Sequence, residues 1–196
     1  AIIFIAARFA SDAKVDFAHV ARKVIKRIGY DQPDFNAQIC SILSAPQALP
    51  IDKSGQFDEE KLTEAQIKRI AAKNQVTLFG FACDQTPALM PLPIWFAHQL
   101  ARQLSAVRRD KTLAYLMPDG KVQLGVEYKD RRPKRIHAVT IAASQKKPNR
   151  PGPKKLRGDI LDTVIVPVFK NEKIKPDAKT RIFVNPDGPY LGGPMH

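Results

Sequence analysis

Apolar positions recur along the chain with two different periods, and the switches between them mark out its elements. Ala1 to Ala10 (AIIFIAARFA) is an almost unbroken apolar run, which predicts a buried strand closed by a turn at 11–14. Phe17, Val20, Ala21, Val24, Ile25 and Ile28 then fall on one face of a helix. Asp16 is placed to cap it, Val15 to staple onto Val20, and Gly29 to end it. A short apolar stretch at 39–43 gives way to Pro46 and Pro50. Asp58 to Lys73 runs from acidic to basic, as a helix macrodipole favours, yet its apolar stripe is only Leu62, Ile67 and Ile70, so a weakly held helix is expected.

Val76 to Cys83 reads as a second strand. Met90-Pro91-Leu92-Pro93 opens a long helix over Ile94 to Arg109, with Ala97, Leu100, Ala101, Leu104 and Val107 turned inward. The period then drops to two. Val122, Leu124, Val126 and Tyr128 alternate with Gln123, Gly125 and Glu127, and Ile136 to Ala143 repeats strand character, so the pair predicts an antiparallel hairpin. Residues 144–155 (SQKKPNRPGPKK) are a loop by composition. Leu156, Ile160, Val164 and Val168 space as a further helix, and Arg181 to Val184 as a closing strand. Paired strands with helices on one face predict an α+β fold built of two-layer sandwiches with mostly antiparallel sheet.

Composition narrows this little, but charge adds a constraint. With 196 residues, 44% hydrophobic and 26% charged, the chain can bury a core as one large or two small domains. The formal charge of +13 points to a polyanionic partner, whether nucleic acid, a membrane surface or a phosphate-rich small molecule. Eleven Lys or Arg lie between Lys129 and Arg157 against one acid, Asp130; such a run is usually a solvated face. No RNP-like aromatic pattern or zinc-finger spacing accompanies it, so sequence-specific nucleic-acid reading is not expected. Cys40 and Cys83 match no metal or redox spacing and read as buried free thiols, which makes a cytoplasmic location the expectation. No apolar run is long enough for a membrane span. His98 and His137 read as packing or surface residues. Walker A, GxGxxG and GxSxG sequences are absent.

Two segments carry candidate chemistry. A turn at Pro118-Asp119-Gly120 would leave room for a ligand, with Lys121 offering a compact charge to a triphosphate and Asp119 an acceptor for a ribose or amine. The same four residues also read as an ordinary β-turn. In the tail from Asn185 to Pro194, glycines let backbone N–H groups approach an anion.

Three longer stretches tie these together: Leu89-Met90-Pro91-Leu92-Pro93-Ile94 with Ala97-His98 and Arg108; Leu116 to Gln123 (LMPDGKVQ) with Val126-Glu127-Tyr128; and Val184-Asn185-Pro186-Asp187-Gly188 ending in Gly192-Gly193-Pro194. Ile25 to Tyr30 and Phe79-Gly80-Phe81-Ala82 add to them. In order and spacing they resemble the S-adenosylmethionine synthetase family, in a divergent bacterial form. The resemblance implies a partial N-terminal domain over 1–83 and a central domain over 84–196. It implies methionine adenosyltransferase activity, forming S-adenosylmethionine from ATP and methionine with release of phosphate and diphosphate. By position it makes Lys121 catalytic, Asp119, Gly120, Lys121, Pro189 and Tyr190 ATP-binding, and Gln47, otherwise a plain loop residue, methionine-binding. Mg²⁺ and K⁺ are the implied cofactors, with ligands outside this chain, and a homodimer or dimer of dimers the implied assembly.

Departures accompany the matches. The family's opening His-Pro-Asp-Lys and its Gly-Leu-Thr-Gly-Arg-Lys stretch are absent, so the chain is expected to be an excerpt lacking both catalytic ends and inactive alone. Arg8 stands where a methionine-contacting Glu is usual, Lys73-Asn74-Gln75-Val76 replaces GDQG, and the tail is one residue short with Pro189 in place of Arg. These substitutions support an alternative, a catalytically degenerate nucleotide-binding or partner subunit.

Overall fold

The computed structural model describes residues 1–51, 61–70, 76–147 and 150–191. The chain begins with β1 (Ile2–Phe9), α1 (Phe17–Ile28) and β2 (Ser41–Ala48), in which β1 and β2 pair in parallel with Ile2 opposite Ser41 and Phe9 opposite Ala48. Asp16 caps α1 as expected, accepting from His19 N–H at 2.9 Å, and Gly29 ends it at φ 97°, a conformation open to glycine. A small cluster of Ile25, Phe35 and Cys40 holds α1 to the following loop. Arg22 strengthens the seam by donating to the Ala37 carbonyl at 2.6 Å.

The expectation of a strand buried on both faces is corrected here. Side chains of β1 alternate between exposed and half-buried, and Ile2 and Phe4 are 70% and 66% exposed, because α1 covers only one face of a two-stranded sheet. Val76 to Cys83 is likewise not a strand: it makes no ladder with any described residue and leaves Phe79 96% exposed. A β-forming composition needs a partner edge, and none of the described residues supplies one. Of the helix expected over 58–73, the described part holds only the single turn α2 (Glu64–Ile67), closed by a Thr63–Gln66 capping box.

The larger core lies between a three-stranded sheet and two helical segments on one of its faces. In α3 (Leu92–Arg109), Leu92, Phe96, Leu100, Leu104 and Val107 recur at helical spacing and are all buried. β3 (Leu116–Lys129) and β4 (Arg132–Gln145) form the expected antiparallel hairpin, joined by Asp130 and Arg131 at φ 52° and 62° in a two-residue turn of the primed kind. β5 (Arg181–Val184) adds in parallel to β4, so the α+β class holds with two parallel pairings beside the hairpin. Ile136, Val139, Ile141, Ile160 and Val164 are fully buried between the layers.

The second helical segment is continuous but changes pitch, from α4 (Pro153–Ile160) through a π-helical stretch (Leu161–Ile165) to α5 (Val166–Phe169). Pro167 explains the change, since it brings no N–H to the Thr163 carbonyl one turn earlier. Gln103 on α3 fills that role, donating its Nε2 to the Thr163 carbonyl at 2.9 Å. The ring pair Phe96–Phe169, with centroids 4.5 Å apart, closes the far end of this contact.

Candidate functional site

The Pro118-Asp119-Gly120 segment does not form a free turn. It lies within β3, where Leu116 opposes Gln145 and Gly120 opposes Ala143, so Met117, Pro118 and Asp119 stand against Ser144 alone in a bulge. Pro118 is tolerated because a bulge asks for no ladder donor at that point. Gly120 then passes close to α3: a Cβ there would sit 2.8 Å from Leu104 Cδ2.

The bulge turns Asp119 inward. Tyr30, just past the glycine that ends α1, donates its hydroxyl to Asp119 Oδ1 at 2.9 Å, and Gln32 Nε2 reaches Met117 Sδ at 3.8 Å. Asp119 Oδ2 and Arg108 Nε are buried and find no hydrogen-bond partner among the described residues. Both residues line a cavity of about 70 Å³ shared with Ser105 and Ser144. Burial first, and the Asp119 carboxylate second, push the Tyr30 phenol up to about 12. Burial first, and the neighbouring Arg109 charge second, weaken the hold of Arg108 on its proton.

Lys121, two residues beyond, is exposed, and its Nζ lies 5.6 Å from the centre of the Tyr190 ring. The tail is held there by its asparagine. Asn185, at φ 46°, accepts from Ala143 N–H at 2.7 Å and donates to the Ala143 carbonyl at 3.0 Å, so its side chain extends the β4 ladder where the backbone has turned away. Gln145 N–H then donates to the Tyr190 carbonyl at 3.0 Å. Pro189 is exposed beside an opening of about 280 Å³ that Gln145, Arg150 and Gly188 also line.

Thus Asp119, Gly120, Lys121 and Tyr190 are brought together, with Pro189 next to them. Gln47 is not: it sits exposed on β2, opposite Arg8 in the β1 register. Asn74 lies outside the described residues. Tyr30, Arg108 and Asn185 stood inside the family-like runs without a role of their own, and only Asn185 carried a local signal, since asparagine tolerates positive φ. A ligand-sized opening of about 510 Å³ adjoins the bulge, lined by Gln32, Met117, Gln145, Lys146 and Leu191 among others; Lys121 does not line it. No three His, Cys, Asp or Glu side chains converge as a metal site among the described residues. Cys40 is buried, whereas Cys83 is only half-buried, and both are free. Among the described residues no helix is long and apolar enough to cross a membrane.

The run of cations from 129 to 157 is not one patch. Lys129, Arg131, Arg132 and Lys134 surround the hairpin tip, whereas Lys146, Lys147, Arg150 and Lys154 follow the other end of β4. Arg135 is occupied by Glu127 and Asp177, and Lys155 by Asp159.

Residues 69–190 match the model of the S-adenosylmethionine synthetase central domain. The S-adenosylmethionine synthase of Microcystis aeruginosa is 38% identical over 208 residues, covering 99% of this chain and 50% of that protein. That of Trichodesmium erythraeum is 39% identical over 211 residues with the same coverage. The Desulfosudis oleivorans synthase is 40% identical over 199 residues, covering 99% and 49%. The chain spans about half the length of the curated relatives it matches. With the family model matching more than half of its residues, including the bulge and the tail that meet at Lys121, the chain belongs to the S-adenosylmethionine synthetase family.

Proposed function

We propose that the full-length protein, of which this chain is about half by comparison with its relatives, is a methionine adenosyltransferase. The methionine sulfur attacks C5′ of ATP, the S–C5′ bond forms as the C5′–O bond breaks, and the departing triphosphate is hydrolysed to phosphate and diphosphate. The observation that carries this reading is the placement of the Lys121 ammonium beside the Tyr190 ring, on a bulged strand and a tail that the family's motifs build together.

Lys121 makes no ion pair among the described residues, so its charge is available to a phosphate chain as negative charge builds on the leaving oxygen. Tyr190 offers a flat apolar face to the base, and Gly120 lets the strand stay close to α3 while presenting Lys121 outward. Asp119, with one oxygen held by Tyr30 and the other buried in the cavity it shares with Arg108, fixes the bulge. Gln47 and Lys121 stand on separate sheets; a homodimer with sites between subunits would let them serve one site. The residue ranges 1–83 and 84–196 are part of the same reading, as N-terminal and central domains. Mg²⁺ and K⁺, implied by the family, do not fit any acidic cluster among the described residues, so no step is routed through them.

A second reading, a nucleotide-binding subunit without turnover, is favoured by one observation. Arg8 faces Gln47 across the β1–β2 register, and a cation there repels the substrate ammonium. Incubating the full-length protein with ATP, methionine and magnesium separates the two. We expect S-adenosylmethionine to form, and Lys121→Met to lower kcat by about 10²–10³-fold. ATP binding without product would establish the second reading.

A further inference from the structure

The C-terminal ends of α1 and α3 meet the end of β4 around a cleft of about 270 Å³. Its charged lining is one-sided: Arg27, Arg108, Arg109, Lys111 and Lys146 against Asp31. Helix ends account for part of this, because each C-terminus presents roughly half a negative charge to the arginines in its last turn. Two such ends, Asp31, and the Asp119 carboxylate that acts on Arg108 from the adjoining cavity offset about three of the five cations, leaving roughly two positive charges without a counterpart.

Local geometry keeps the cations in place. The chain beyond α3 turns back with Lys111 at φ 66° and its N–H on the Arg108 carbonyl at 3.3 Å, while Lys146 N–H is held by the Tyr115 carbonyl at 2.9 Å. Arg108 is drawn against the end of α1, so near that a Cβ on Gly29 would lie 3.0 Å from its Nη1. Its Nε is buried without a partner among the described residues. No ion pair joins Arg27, Arg108, Lys111 or Lys146 to any acid among the described residues. Arg108 is half-buried, and the convergence of like charges from three elements is costly unless an anion occupies the space.

We infer that this cleft binds a small polyvalent oxyanion with the chemistry of inorganic diphosphate. A cleft of about 270 Å³ has room for an ion of a few heavy atoms, and its cationic lining suits a compact anion. Oxyanions suit guanidinium forks, which donate in pairs to adjacent oxygens. Lys121 does not line the cleft, which adjoins the bulge through Arg108, Met117 and Pro118.

The test is calorimetric titration of the full-length protein with sodium diphosphate at low and moderate salt. Arg27→Gln combined with Lys111→Gln removes two exposed charges without touching the core. We expect it to weaken diphosphate binding at least tenfold and to flatten its salt dependence, while Lys121→Met retains the cleft's binding. Undiminished affinity in the double variant, or complete loss in Lys121→Met, would overturn the inference. So would an absence of diphosphate binding by the unaltered protein. ATP binding with the same dependence on Arg27 and Lys111 would support the site and identify nucleotide phosphates as the source of the anion.

Discussion

Tyr30 and Asp119 form a contact across 89 residues of sequence, and the phenol makes it sensitive to high pH. The phenol, pushed up to about 12 by burial and by Asp119, keeps its proton longer in the folded than in the unfolded chain, where tyrosine titrates near 10. The stability this contributes is complete below about pH 10 and is lost as pH rises towards 12. Tyr115, raised in the same direction by burial and by its hydrogen bond to Asp159, adds to the loss. Tyr30→Phe should therefore flatten the fall of Tm between about pH 10 and pH 12; an unchanged slope would show that the phenol is not coupled to folding. Lys121 stands out in the sequence because its neighbours form a recognisable run. Tyr30 does not, because its meaning lies in a carboxylate that only the fold brings near.

Elements were legible where one period ran uninterrupted. The stripes of α1 and α3 formed near the expected bounds, and the alternation of β3 and β4 formed as a hairpin whose strands extend well past it, to Leu116 and Gln145. Reading failed where a segment's state depends on its neighbours: Val76 to Cys83 has strand composition but no adjoining edge among the described residues, and Pro118-Asp119-Gly120 has turn composition but is absorbed into a bulge. The π-helical stretch had one trace in sequence, Pro167, and its compensation by Gln103 had none. That compensation makes a prediction. Gln103→Leu keeps the side chain's bulk but leaves the half-buried Thr163 carbonyl unpaired, which should destabilise the fold by about 1–3 kcal/mol in urea denaturation. A change within a few tenths would mean that water replaces the amide without penalty.

For the molecule as a whole, the α+β class was legible from paired strands followed by amphipathic helices, whereas the degree of covering was not. Stability rests on the layer where α3, the hairpin and the second helical segment meet, not on the thin pair β1–β2. Ile160→Ala, at a fully buried position in that layer, should cost about 2–5 kcal/mol, and Phe79→Ser, at a site open to water, under about 0.5 kcal/mol by the same denaturation. Comparable losses at both would show that the 76–83 segment is covered in solution.

The hairpin also acts as a spacer. Fourteen residues of β4 at the usual rise hold the cations at its tip about 45 Å from those at its other end, several times the roughly 8 Å over which salt leaves a field intact. The two groups are electrically independent, so a compact anion drawn to one end gains nothing from the other. The formal charge of +13 overstates what any small ligand of this protein can feel.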